Sequence, residues 1–156
     1  MNRLDRVDLK ILELLQKNAR MSLKDIAAEV YLTSPAVSAR IEKLERSGII
    51  EGYHAQINRE AFQLQIKAFI NVKTDPVMKK DLYDYVKSVR NVIQCDFVTG
   101  DYVIFLEVLF HDTQELDDFI AALEKYGETK TQISFSSAVE HRGLPVKNTQ
   151  NQKAAS

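Results

Sequence analysis

The thirty residues from Met21 to Ile50, MSLKDIAAEVYLTSPAVSARIEKLERSGII, constrain the fold most, because they punctuate two short helices within one small unit. Ser22 is placed to cap the first helix through its hydroxyl, and Asp25 puts a carboxylate near the positive helix end. Leu23, Ile26, Ala27 and Val30 recur at helical spacing and form one apolar face. Tyr31-Leu32 breaks the run, and Thr33 is the expected cap of a second helix with Ser34 and Pro35 in its first turn. Proline is tolerated there because its missing N–H has no helical partner in any case. Val37, Ile41 and Leu44 then make a buried stripe, and Gly48 is suited to the left-handed residue that ends a helix. Upstream, Leu4, Val7, Ile11, Leu12 and Leu15 predict a further helix packed across the pair, giving a three-helix core.

A helix pair of this kind points to double-stranded DNA as the first partner to test. Small residues at the start of the second helix let it approach the floor of the major groove. Ser34, Pro35, Ser38, Lys43 and Arg46 form the expected groove-facing set, with Arg40 on a phosphate. Arg20 and Lys24 are placed to clamp the DNA backbone beside them. The competing reading is structural: a solvated face with pairs such as Glu42–Arg46, and Arg40 tied by a salt bridge to the first helix. Net charge does not decide the matter. The chain carries −1, split as +1 over the first 60 residues and −2 over the remainder, which is not the footprint of a charge-driven nucleic-acid binder.

After Gly48 the pattern changes. Ile49 to Ile57 reads as a short wing or extended arm, and residues 58–65 as a hinge. From Ile66 the segments alternate: a strand from Ile66 to Lys73, and a helix opened by Asp75-Pro76 with Leu82, Tyr85, Val86 and Val89. A strand from Val92 to Val98, a turn at Thr99 to Tyr102, and a strongly apolar strand from Val103 to Phe110 follow. A helix from His111-Asp112-Thr113 carries Leu116, Phe119, Ile120 and Leu123, and a last strand is expected from Thr131 to Val139. The order βαββαβ predicts an α+β, ferredoxin-like unit with two helices on one face of an antiparallel sheet. The third strand is apolar on both faces, which fits a core on one side and a subunit interface on the other. The expected organisation is a helix-turn-helix domain over 1–52, a linker or hinge strand over 53–65, the βαββαβ domain over 66–141 and a polar flexible tail over 142–156.

Several chemistries lack their residues. The single Cys95 leaves no internal disulfide or cysteine zinc cluster, and His54, His111 and His141 sit on separate elements without metal-ligand spacing. No nucleophile–base arrangement or phosphate loop is evident, so neither an enzyme nor a bound cofactor or metal is expected. No apolar run reaches membrane-spanning length and MNRLDRVDLK lacks the pattern of a signal peptide, so a cytoplasmic site is expected, without membrane contact.

Several segments are specific enough to carry a family likeness: Leu4-Asp5-Arg6-Val7-Asp8, Asn18-Ala19-Arg20-Met21-Ser22, Leu32 to Val37, Arg40 to Ile50, Gly52 to Asn58, and Val98-Thr99-Gly100-Asp101-Tyr102. Together they resemble the Lrp/AsnC, or feast/famine, regulators over nearly the whole chain. The resemblance implies an N-terminal winged helix-turn-helix domain and a C-terminal regulatory domain. It further implies DNA binding as a dimer, assembly to octamers, and in many members a free amino acid bound between dimers. The candidate effector residues are Thr99, Gly100, Asp101 and Tyr102, whose turn exposes N–H groups for a carboxylate and offers Asp101 to an ammonium, with Thr131 and Gln132 completing the pocket from the last strand; the competing reading is a hairpin turn that only packs one dimer on another. This chain departs in three places: Tyr31 stands where glycine is common, Glu42 where a basic residue is common, and Val103 where an aspartate is common. The leading function is a sequence-selective transcription regulator. The alternatives are an architectural DNA-wrapping protein of the same family, and a metabolite-binding module with a vestigial helix pair.

Overall fold

The computed structural model describes residues 4–140 and 142–146. The chain forms two compact units, one running to Gln56 and taking back the segment that begins at Val139, the other spanning Ile57–Ala138.

The first unit holds α1 (Arg6–Lys17), α2 (Leu23–Val30) and α3 (Ser34–Arg46). Its core is Ile11, Leu12, Ile26, Ala27, Val30, Val37 and Leu44, with Ile41 partly buried against them. Leu23, expected on the apolar face, is instead exposed at the mouth of its helix. Each start is capped. Ser22 Oγ accepts from the Asp25 N–H at 3.1 Å, and Thr33 Oγ1 from the Ala36 N–H at 3.4 Å. Asp5 and Asp8 form a reciprocal capping box at α1, each carboxylate accepting from the other's N–H at 2.8 and 3.1 Å. After Ser47, Gly48 takes φ +68° as expected.

Tyr31 makes the α2–α3 turn without glycine. It sits in the left-handed region at φ 56°, ψ 43°, and is 94% exposed. A side chain there is strained and repays nothing in packing. Tyr31→Gly is therefore expected to raise the stability of the unit by roughly 0.5–1 kcal/mol, the relief of strain outweighing glycine's added unfolded-state entropy. A urea midpoint that falls on substitution would contradict this.

No strand forms between residues 49 and 65; the expected hinge strand is irregular chain followed by a short 3-10 helix, Arg59–Phe62. Tyr53 Oη donates to Glu45 Oε1 at 2.8 Å, which fastens the start of this arm to α3; burial first, then Glu45, holds the phenol's pKa up at about 12. The tail also differs from expectation as far as it is described. Gln16 Nε2 donates to the Leu144 carbonyl at 3.2 Å, and Val146 packs against the helical core. The signal was two apolar residues, Leu144 and Val146, in an otherwise polar stretch. Residues 147–156, and His141, lie outside the described residues.

The second unit follows as β1 (Ile66–Thr74), α4 (Lys79–Ser88), β2 (Val92–Phe97), β3 (Ile104–Phe110), α5 (Thr113–Leu123) and β4 (Gly127–Ser134). The sheet is antiparallel in the order β2-β3-β1-β4. Ala68, Ile70 and Val72 of β1 and Ile104, Leu106, Val108 and Phe110 of β3 face α4 and α5, where they meet Leu82, Val86, Leu116, Phe119 and Leu123. The opposite face carries Phe69 stacked on Phe105, with centroids 5.5 Å apart, beside a Lys67–Glu107 ion pair at 2.7 Å. Strand alternation thus separates the two apolar faces expected of the third strand.

The last strand lies earlier than expected, at Gly127–Ser134 rather than from Thr131 to Val139. The apolar residues Ile133, Phe135 and Val139 drew the sequence reading towards the C-terminus, yet Phe135 is 99% exposed. Pairing is instead set by Gly127 at φ +153°, where a Cβ would stand 2.0 Å from the Lys73 carbonyl oxygen. Only glycine lets β4 enter that close to β1, and pairing then runs from Thr74–Gly127 to Lys67–Ser134.

Candidate functional site

The exposed side of α3 presents Pro35, Ala39, Glu42, Lys43 and Arg46, with Ser34 and Ser38 half-buried. Ser38 Oγ donates to Glu42 Oε1 at 3.1 Å and Arg46 Nε donates to the Glu42 carbonyl at 3.3 Å. The expected Glu42–Arg46 side-chain ion pair does not form; Glu42 is held by Ser38, and the Arg46 guanidinium is bound to its helix only through Nε. Arg20, Lys24 and Lys43 are exposed and enter no salt bridge among the described residues. The N-terminal turn of α3 is small and uncharged, and its C-terminal half exposes Lys43 and Arg46 beside Glu42 and Glu45. That distribution suits a helix that inserts its start into a groove and meets phosphates further along.

Arg40 is different: in the free chain it makes the salt bridge to the first helix that was the alternative to a phosphate contact. Its Nη1 donates to Asp5 Oδ2 at 2.7 Å and to Asp8 Oδ1 at 2.6 Å. Asp8 is 4% exposed. The two carboxylates that cap α1 therefore also fasten α3, and they hold the Arg40 pKa above its ordinary value, Asp5 first and then Asp8. Through Nη1 the guanidinium ties α3 to the start of α1. A salt bridge from Arg40 to the first helix was expected as the structural alternative; its partners, Asp5 and Asp8, are set by the tertiary packing. Tyr31, noted in the sequence only as a departure from glycine, is held in solvent by the strained turn.

In the sheet unit, the Val98 N–H donates to the Val103 carbonyl at 3.0 Å and closes the loop that holds Thr99, Gly100, Asp101 and Tyr102. Gly100 takes φ +115° in the turn. Thr99, Gly100 and Asp101 are exposed, while Tyr102 Oη donates to Glu128 Oε1 at 2.8 Å. That hydrogen bond, ahead of desolvation and the charges of Glu128 and Asp101, raises the phenol's pKa. Val103 packs against the core and supplies no carboxylate.

Within one chain, the pairing places the residues expected from the last strand away from the loop. β4 brings Glu128 to the loop, whereas Thr131 and Gln132 pair with Ile70 and Phe69, further along the strand. They also lie on opposite faces, Thr131 on the helix side and Gln132 on the open face, so they do not converge on the loop. The signal missed was the early start of β4.

A capped helix pair whose second helix starts with small residues and exposes Lys43 and Arg46 further along, followed by a ferredoxin-like unit with a tight exposed loop, is the architecture of a DNA-binding transcriptional regulator. Residues 4–51 match the winged helix-turn-helix DNA-binding family, and residues 67–144 match the Lrp/AsnC ligand binding domain. The HTH-type transcriptional regulator LrpA of Bacillus subtilis is 31% identical over 131 residues, spanning 83% of this chain and 96% of that protein. LrpB of the same organism is 30% identical over 138 residues, spanning 88% and 93%. A transcriptional regulator of Neisseria meningitidis, solved as a complex with L-Met, superposes with a TM-score of 0.86 at 26% identity, covering 92% of this chain and 97% of that one. The chain belongs to the Lrp/AsnC family of transcriptional regulators. Its relatives are named regulators and its families are DNA-binding and regulatory, not enzymatic. Among the described residues no helix is long and apolar enough to cross a membrane, and no group of three potential metal ligands occurs.

Proposed function

We propose that this protein is a sequence-selective transcription regulator of the cytoplasm that binds DNA as a homodimer and answers to a small amino acid. The observation that carries the DNA reading is the division of labour on α3: Arg40 is consumed by Asp5 and Asp8, while Lys43 and Arg46 remain exposed beyond a small, uncharged first turn. Two copies of α3 then enter successive major grooves about one helical turn apart. Ser34, Pro35 and Ser38 lie against base edges, Lys43 and Arg46 on bases or phosphates, and Arg20 and Lys24 on the flanking backbone. The half-buried Phe69–Phe105 stack on the open sheet face supports pairing of two copies there, and dimers assemble further, up to an octamer.

Titration against the DNA upstream of its own gene, with an unrelated fragment of equal length at two salt concentrations, tests this. A preference that survives higher salt is expected. Equal binding that collapses with salt would overturn it in favour of architectural wrapping.

The loop at Thr99–Tyr102 supports the effector reading. Exposed turn N–H groups suit a carboxylate, and Asp101, with Glu128 close behind Tyr102, suits an ammonium. L-Met is the first amino acid to test, because the Neisseria relative was solved with it. Asp101→Ala is expected to abolish any amino-acid effect on DNA affinity while leaving affinity without effector unchanged. A retained response would remove Asp101 from the site.

A further inference from the structure

A cavity of about 530 Å³ opens between α4 and the edge strand β2, and none of the Thr99–Tyr102 loop residues lines it. Its size falls among ordinary small-ligand sites. Three observations give it a chemistry.

The floor is apolar. The valines of α4 and β2 and the ring of Phe97 form it, with Tyr83 edge-on to Phe97 at 4.9 Å. Ile93 stands 56% exposed at the side. The rim is cationic: Lys87 and Arg90 both line the cavity, and neither forms a salt bridge among the described residues. Part of that charge offsets the negative end of α4, but a helix terminus carries only about half a unit charge against two full ones, so the rim stays positive. Inside, the Tyr83 hydroxyl is buried without a hydrogen-bond partner. An unpaired buried hydroxyl is unfavourable, and a ligand oxygen would satisfy it. Tyr83 and Lys87 are one helical turn apart on α4 and both line the cavity.

We propose that this cavity binds a small organic monocarboxylate with a branched or aromatic apolar body. The body lies on Phe97, Ile93 and the valine floor. The carboxylate meets Arg90 and Lys87, arginine offering a planar fork that matches it, and a small shift of Tyr83 on binding brings its covered hydroxyl to one carboxylate oxygen. The site is independent of the amino-acid loop.

Cys95 lines the same cavity, is exposed, and is the chain's single cysteine, so it reports occupancy without ambiguity. The full-length protein is treated with iodoacetamide while phenylacetate or hexanoate is titrated in, with phenylacetamide and hexanamide as uncharged controls. Each acid is expected to slow alkylation of Cys95 saturably and several-fold, and the amides are not. Lys87→Ala with Arg90→Ala is expected to abolish the protection; both side chains are exposed, and circular dichroism verifies the fold. Tyr83→Phe keeps the ring and is expected to weaken the acids only, whereas Asp101→Ala is expected to change nothing. The proposal falls if neither acid protects, if the amides protect equally, or if protection persists in the double variant. It also falls if Cys95 stays unreactive in the free protein at alkaline pH, where the upward push of burial and Asp96 on its thiol is overcome, since the cavity is then not open to solvent. Failure of amino-acid sensing at Asp101 leaves each of these outcomes unaffected.

Discussion

Replacement of Arg40 by alanine is expected to lower the stability of the helical unit by about 2–3 kcal/mol, below the full range for breaking a buried ion pair because Arg40 and Asp5 are partly solvated. The loss falls on Asp8, whose side chain is 6% exposed and would keep only the Asp5 N–H as a donor. Denaturant midpoints of the variant measure the loss, and a double-mutant cycle with Asp8→Ala separates the pair from side effects, with coupling above about 1 kcal/mol expected for residues in direct contact. If Arg40→Ala leaves stability unchanged and weakens DNA binding instead, the guanidinium reaches phosphate in the complex and the clamp is incidental.

The same cluster sets an acid limit. Burial works against ionisation of Asp5, but the Asp8 N–H, the Arg40 guanidinium and the Val7 N–H outweigh it and hold the carboxyl below its ordinary value. A depressed carboxylate contributes stability that is present above its unfolded pKa and lost as pH falls through the folded one. The helical unit should therefore loosen below about pH 4, and Arg40→Ala should flatten that acid limb.

These dependences show what a linear sequence can and cannot convey. Caps at Ser22, Thr33 and Gly48 are local events, decided by hydrogen bonds within a few residues, and so were legible. The βαββαβ order was legible because period-2 and period-3.6 apolar patterns alternate cleanly. Arg40 was ambiguous because its partners lie 32 and 35 residues away, and a surface-looking arginine gives no local sign of a buried aspartate. β4 was misplaced because an edge strand without a fully buried residue carries little hydrophobic periodicity. Its register is fixed by a backbone approach at Gly127, which hydropathy does not see. The effector loop was found from Gly100-Asp101-Tyr102, but its strand partner, Glu128, follows from the register of β4 and was missed with it.

With Arg40 assigned to the fold, the reading helix depends on Lys43 and Arg46 for its charge, and the largest functional effect is expected there. Lys43→Ala with Arg46→Ala should weaken DNA binding roughly a hundredfold, because each lesion occurs twice in a dimer and each removes a cation from a base or a phosphate. The fold should not change: both side chains are exposed, and the hydrogen bond removed is Arg46 Nε to the Glu42 carbonyl, on the same helix. Two readouts identify what these cations touch. If they meet phosphates, the dependence of log affinity on log salt should become shallower by about 0.9 for each phosphate no longer neutralised, and all sequences should weaken alike. If they meet bases, the slope should change little and the preference for the specific fragment should shrink. Unchanged affinity, with the oligomer intact, would mean that α3 is not the reading helix. DNA binding would then fall to Arg20, Lys24 and the exposed ring of Tyr31.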